Sequence, residues 1–212
     1  MKKIAFIGSG DLAIDLCERV VLWNQYEVVG FIDGSKGKGT IINGYPILGN
    51  DDEVVRLYQQ GVFDCIFIAI GYLNFNIREK LYNQFKGIVP MANIISPTAY
   101  IHPSATLGEG ILISDGSFIH REAVIEDNVC ITLRSIVNHG GYVKKHTFFS
   151  TGVVTAGNVT VGEKCFVGVG CVISDGVTIC DKVWLSPGSV VTKSIKKSGQ
   201  YISQVAKLYY IG

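Results

Sequence analysis

The chain has 212 residues, room for one large domain or two modest ones, and at 48% apolar it can fill a core. Its formal net charge of +1 gives no ground for binding nucleic acid or an acidic membrane surface. The opening MKKIAFIGSG loses its apolar run at Gly8, Gly10 and Asp11, and no later run is long enough to span a bilayer. The reading is a soluble, cytoplasmic protein without membrane insertion.

Ile4 to Ile7 reads as a first strand ending in Gly8-Ser9-Gly10. Ala13, Leu16, Cys17 and Val20 then recur at the spacing of one helix face. A second strand, Glu27 to Ile32, ends at Asp33-Gly34. Asp51 to Tyr58 reads as a helix, Asp64 to Ile70 as a third strand ending at Gly71, Asn76 to Phe85 as a long helix, and Ile88 to Ile94 as a last short strand. Strands alternating with helices predict a Rossmann-like α/β unit, a parallel sheet with helices on both faces. Gly8-x-Gly10 after a first strand lets backbone approach a phosphate at a helix N-terminus, and Asp33 ends the next strand where it can meet a ribose or base. Ala13 replaces the third glycine, and a unit of this size is roughly half a dinucleotide-binding fold. The segment therefore fits a mononucleotide, or the glycines only make tight turns.

From Ile95 the chain changes period. Stepping by six gives Ile95, Ile101, Leu107, Ile113, Ile119, Ile125, Ile131, Val137, Val143, Phe149, Thr155, Val161, Val167, Ile173, Ile179, Leu185 and Val191. Only Phe149 and Thr155 are not aliphatic, and four residues after most of these sits a small or β-branched side chain. Neither a helix nor a lone strand has a period of six, but a solenoid of short strands and turns does. The pattern resembles the hexapeptide-repeat proteins, which implies a left-handed parallel β-helix with three hexads per coil. The expected boundaries are a nucleotide-sugar-binding unit over 1–94 and an acyltransferase β-helix with its tail over 95–212. Cysteines 17, 65, 130, 165, 171 and 180 form no Cys-x-x-Cys pair and read as free thiols.

Side chains 18 residues apart stack in columns. Two outward columns are apolar (Leu112, Cys130, Phe148, Phe166, Trp184, and Phe118, Ile136, Val154, Val172, Val190), and the third, from Thr106 to Thr178, is more polar. Two apolar sides predict contact with neighbours on both, as in a homotrimer of parallel prisms.

The histidines are His102, His120, His139 and His146. Some hexapeptide proteins, the γ-type carbonic anhydrases, bind zinc through three histidines. Their pair at five-residue spacing is absent here, because His139 and His146 are seven apart, so no metal is expected. His139 stands in a turn, in the column Arg121, His139, Gly157, Asp175, and the glycine above it predicts an open slot.

The segments GSGDLA, FIDGSKGKGTIINGYPILGN and IAIGYLNFNIREKLYNQF resemble the bacterial nucleotide-linked sugar acyltransferases of the PglD/NeuD type. The resemblance covers essentially the whole chain. It implies an acetyl-CoA-dependent N-acetyltransferase acting on a nucleotide-linked amino sugar, a 4-amino-4,6-dideoxyhexose first, for lipopolysaccharide, capsule or glycoprotein glycan synthesis. It implies nucleotide contact at Gly8, Ser9, Gly10, Asp11, Leu12, Asp33, Gly34, Lys36 and Gly71, with Tyr72 and Asn74 nearby. It makes His139 the general base and sets acetyl-CoA in a groove between two subunits, touching Gly157, Val169 and Pro187. A second family histidine, also beside acetyl-CoA, aligns with Phe148. His146 then either stands in for it or is merely exposed. The acid that follows the base in the family is Gly140 here, which leaves Asn138, Glu122 or Asp127 to orient His139. The tail GQYISQVAKLYYIG resembles the family's closing strand, with Val205 in place of a proline. Two other readings stay open: an O-acetyltransferase acting on sialic acid or polysaccharide, and a nucleotide-binding trimer without catalysis.

Overall fold

The computed structural model describes residues 1–202. The first part holds β1 (Lys3–Ile7), α1 (Asp11–Leu22), β2 (Glu27–Ile32), β3 (Ile41–Ile42), β4 (Tyr45–Gly49), α2 (Val54–Gln59), β5 (Cys65–Ile68) and α3 (Phe75–Phe85). The sheet runs β3-β4-β2-β1-β5 and is parallel except for the β3–β4 hairpin. That hairpin was not expected, although its signal is plain. Asn43-Gly44 both take positive φ (47° and 82°), as a tight two-residue hairpin turn requires. Nor is Ile88 to Ile94 a strand. Only Met91 bridges Ile66, and the next strand, Ile94–Ile95, belongs to the solenoid.

The alternating strands send side chains to both faces. Ile4, Phe6, Phe31 and Phe67 meet the buried stripe Ala13, Leu16, Cys17 and Val20 of α1. Ala5, Ile7, Ile32, Ile66 and Ile68 meet Val54 and Leu57 of α2 and Leu81, Tyr82 and Phe85 of α3.

The rest is a left-handed parallel β-helix with three faces. Face one stacks strands from Ile94–Ile95 to Gly199–Tyr201, face two from Tyr100–Ile101 to Val190–Val191, and face three from Thr106–Leu107 to Thr178–Ile179. The six-residue register from Ile113 to Leu185 fills one continuous core. The small residues four positions on do more than leave room. Ser117 and Ser135 are buried, and their hydroxyls donate to the carbonyls of Thr132 (3.1 Å) and Ser150 (3.0 Å). Turns recur with the coil, so left-handed backbone recurs every 18 residues. Gly110, Asn128, His146, Lys164 and Lys182, all with positive φ, stack at the corner between faces three and one.

One expectation about the surface is overturned. The column Leu112, Cys130, Phe148, Phe166, Trp184 does not face a neighbour, because the chain's own first part covers it. Leu112, Cys130, Phe148 and Phe166 are buried in the same cluster as Phe6 and Leu16. Tyr72 lies 4.4 Å from Phe166 and 5.4 Å from Phe148, centroid to centroid. Arg19–Asp115, Lys86–Asp127 and Lys164–Glu79 ion pairs span the same junction. Among the described residues, only face two keeps an uncovered apolar column, with Tyr100, Val172 and Val190 exposed. Of the tail, Gly199–Tyr201 pairs in parallel with Val183–Leu185, and Val205 lies outside the described residues.

Candidate active site

Two separate places carry the candidate residues. The first is a pocket of about 550 Å³ at the C-terminal ends of β1, β2 and β5, the usual ligand crevice of a parallel sheet. Gly8, Ser9, Gly10, Asp11, Leu12, Asp33, Gly34, Gly71 and Asn74 line it, together with Ser35, Asp51 and Ile77, which sequence reasoning did not single out. Lys36 sits at the rim, its Nζ donating to Ser9 O at 3.3 Å. Tyr72 lines an adjoining groove of about 650 Å³, with Lys164, Lys182 and Trp184, and the two cavities share Asn74 and Ile77.

The glycines divide into two kinds. Gly8 is required by the backbone: its φ is +96°, and a Cβ would stand 3.2 Å from Ala69 O. Gly10 and Gly71 have ordinary φ values of −83° and −69°, and a Cβ on either would meet nothing within 4 Å. The fold does not need glycine at these two positions. What their missing side chains leave open is the pocket itself, with the start of α1 facing it.

Asp33 does more than wait for a ligand. Its Oδ1 accepts from Ser35 N (2.9 Å) and Ser35 Oγ (2.6 Å), and its Oδ2 accepts from Ser9 Oγ. Burial pushes this carboxyl up, but the bonds from Ser35 and Ser9 and the Lys36 charge outweigh it, and the group sits below the usual carboxylate range. Asp33 therefore ties the Gly8–Gly10 turn to the turn after β2. Asp51 carries a carboxyl raised by burial and by Asp52.

The second place is the corner between faces two and three, where His139 follows the strand Ile136–Val137. Its Cε1 and Nε2 lie 2.3 and 2.5 Å from where a Gly157 Cβ would be. The predicted open slot is thus occupied by the imidazole itself, and any side chain on the residue above would have to displace it. Asn138 Oδ1 accepts from His139 N (2.8 Å) and lies 3.1 Å from His120 Nδ1, whose ring is 6.1 Å from that of His139. Thr155, the one polar residue in the core register, accepts from Asn138 N at 3.3 Å. The departure from aliphatic at Thr155 therefore marks the turn that carries His139.

The proposed orienting partners separate. Glu122 is exposed and pairs with Arg121, and Asp127 is held by Lys86 and Glu109 N at the far corner. Asn138 binds the backbone of His139, not its ring. His146 is neither exposed nor near His139. It is 4% exposed beneath Tyr82, and its Nδ1 accepts from Asn128 Nδ2 at 2.9 Å. Burial lowers its imidazole to about 4, so it is neutral at pH 7. Phe148, named with the acetyl-CoA contacts, is 6% exposed under Tyr72 on face one. Gly157, Val169 and Pro187 do not climb one column. Gly157 follows a face-two strand, whereas Val169 and Pro187 follow face-one strands, stacked at the corner on the other side of face two.

Among the described residues no group of histidine, cysteine, aspartate and glutamate side chains could hold a metal ion, and no helix is long and apolar enough to cross a membrane.

Comparison with known proteins follows this division. Residues 95–205 match the family described as the GMPPB C-terminal domain, and residues 3–85 match the PglD N-terminal domain. No curated protein sequence matches. The structure is similar to PerB from Caulobacter crescentus in complex with CoA and GDP-perosamine (28% identity, 96% of this chain and 95% of that one, TM-score 0.87). It is equally similar to a histidine-to-asparagine mutant of perosamine N-acetyltransferase from the same organism, with the same ligands (27% identity, 96% and 94%, TM-score 0.88). The acetyltransferase domain of PglB from Neisseria gonorrhoeae, in complex with acetyl coenzyme A, shares the fold (24% identity, 95% and 96%, TM-score 0.86). The match from residue 95 covers more than half of the chain, which belongs to that family of β-helices. With the PglD N-terminal domain ahead of it, the chain has the two-part organisation of the PglD/NeuD type.

Proposed function

We propose that this chain transfers the acetyl group of acetyl-CoA to the amine of a nucleotide-linked amino sugar, a 4-amino-4,6-dideoxyhexose. The observation that carries the reading is the presence, in one chain, of a ligand crevice opened by Gly10 and Gly71 and an imidazole laid over Gly157 on a hexapeptide β-helix. The nucleotide lies along Gly8 to Leu12, Asp33, Gly34 and Gly71, with Lys36, Tyr72 and Asn74 at the rim. The similarity to a protein solved with CoA and GDP-perosamine supports this class of substrate, and the solved histidine mutants of that protein support a histidine at the centre of the chemistry.

In the reaction the sugar nitrogen attacks the thioester carbonyl as His139 takes its proton. A neutral imidazole suits this, and positioned bases contribute about 100- to 10,000-fold. The Gly157 N–H, without a partner among the described residues, donates to the oxyanion. The C–S bond then breaks, and the thiolate leaves with the proton.

Within one chain the nucleotide crevice belongs to the part packed on face one, and His139 lies at the corner opposite that face. A second copy must complete the site. We therefore propose a homotrimer in which face two meets a neighbour, with acetyl-CoA in the groove between copies. Gly157 of one copy and Val169 and Pro187 of the next would then line one path. The two units, 1–94 and 95–212, divide this labour, and the reaction takes place in the cytoplasm. The test is a thiol-release screen of acetyl-CoA against UDP-, dTDP- and GDP-linked amino sugars. Nucleotide binding without thiol release from any of them would favour the non-catalytic reading.

A further inference from the structure

The residue directly after His139 is Gly140, not an acid. Gly140 has φ +62°, and a Cβ there would stand 2.5 Å from Asn158 Oδ1. Asn158 Oδ1 occupies the space above Gly140, and a side chain directly after the histidine would have to displace it. The column above His139 has the reverse arrangement. Gly157 has no side chain, and the place its Cβ would take is close to both His139 Nε2, at 2.5 Å, and Asp175 Oδ1, at 2.7 Å. Asp175 comes from the second coil above His139, and its carboxylate reaches down across the glycine of the coil between. No direct hydrogen bond joins the two.

We propose that Asp175 is the positioning residue for His139, acting across Gly157 in place of an acid at position 140. The inference rests on the assignment of His139 as the base. A carboxylate at this place can hold the imidazole in one orientation as it accepts the amine proton. Nε2 is on the ring edge nearest the Gly157 position that Asp175 Oδ1 also approaches, an arrangement suited to an Nε2–H tautomer with Nδ1 as the basic nitrogen. The other charged or titratable groups nearby do not replace it. Arg121, below His139 in the column, is a cation paired with Glu122, and His120 is engaged by Asn138.

The test compares Asp175→Asn, Asp175→Glu and His139→Gln in the intact enzyme. The steady-state constants for both substrates and the melting temperature are measured for each. Asp175 is exposed, so the variants should fold as the parent does. Asp175→Asn should lower kcat about 10-fold or more, with both KM values within about two-fold. Asp175→Glu should recover part of the loss. Parental kcat in Asp175→Asn while His139→Gln is inactive would overturn the role of Asp175 and leave the base in place. Full turnover in His139→Gln would overturn the base assignment and this inference with it.

Discussion

Arg78 Nη2 donates to both the carbonyl oxygen (3.1 Å) and the side-chain Oδ1 (2.6 Å) of Asn128, joining α3 to the solenoid through a residue that is 1% exposed. Its Nη1 donates to Ile68 O (3.1 Å) and Ile70 O (2.7 Å), at the end of the strand that leads into Gly71. No acid pairs with this guanidinium among the described residues; its two Nη atoms are satisfied by oxygens from both halves of the chain and by Cys130 Sγ, and its buried Nε has no partner.

Arg78→Ala should therefore destabilise the protein by about 3 kcal/mol, since several buried carbonyls lose their donors and a cavity opens. Arg78→Lys should restore little, because a single ammonium cannot span the same acceptors. Chemical denaturation of the three proteins measures both effects, and wild-type stability in Arg78→Ala would contradict the account.

His146 makes the junction sensitive to acid. Its imidazole is lowered from 6.5 to about 4 by burial, and its Nδ1 must be unprotonated to accept from Asn128. Below pH 6.5 the unfolded chain takes up a proton that the folded chain refuses until about pH 4. Stability should fall across that window as the pH drops, by at most about 3 kcal/mol. Asp33, Asp115 and Asp127 are held below 3.8, so their contributions are lost at lower pH. Asparagine tolerates the left-handed backbone at this position, so His146→Asn should flatten the dependence between pH 6.5 and 4. Thermal melts at several pH values compare the two slopes.

Gly8 and Gly10 should separate stability from binding. Gly8→Ala strains a backbone at φ +96° and should cost about 1–3 kcal/mol. Gly10→Ala meets nothing in the fold and should change stability by no more than about 0.5 kcal/mol. Its methyl group points into the proposed nucleotide crevice and should weaken nucleotide binding about 10-fold or more, as calorimetry would register.

Gly157→Ala should displace His139, because the new methyl would lie 2.3 Å from the ring. Misplacement of a catalytic group by about 1 Å costs on the order of 100-fold, and turnover should fall by that order. Unchanged turnover would show that His139 does not act from the position seen here.

The proposed trimer rests on face two. Val172 is 44% exposed on its uncovered apolar column, and Val172→Glu should dissociate the assembly. Sedimentation equilibrium at micromolar concentration should give a trimer for the parent and a smaller species for the variant.

The six-residue register was legible because one physical constraint, a shared core, acts on every coil. It placed the core from Ile113 to Leu185 and set His139 under Gly157. What it could not carry was which outward column is covered by the chain itself. The column of Phe148 and Phe166 is as apolar as a subunit interface, and only the packing of Tyr72 against it reveals an internal junction. Asp175 was missed for a related reason. The acids in the coil below His139 are engaged elsewhere, and the proposed approach runs upward across a glycine. The β3–β4 hairpin was missed although Asn43-Gly44 announces it. For the covered column and for Asp175 the residues were visible and the approach between distant segments was not, whereas the hairpin is local and its turn was readable.

The central claim is that an acetyl group passes from acetyl-CoA to a sugar amine. Mass analysis of the product formed from acetyl-CoA and a nucleotide-linked 4-amino-4,6-dideoxyhexose, before and after mild alkali, tests it most directly. The account predicts a sugar nucleotide one acetyl group heavier, formed with one equivalent of free thiol and unchanged by alkali, as an amide must be. No acetylated product, or one whose acetyl group alkali removes as it would an ester, would contradict it.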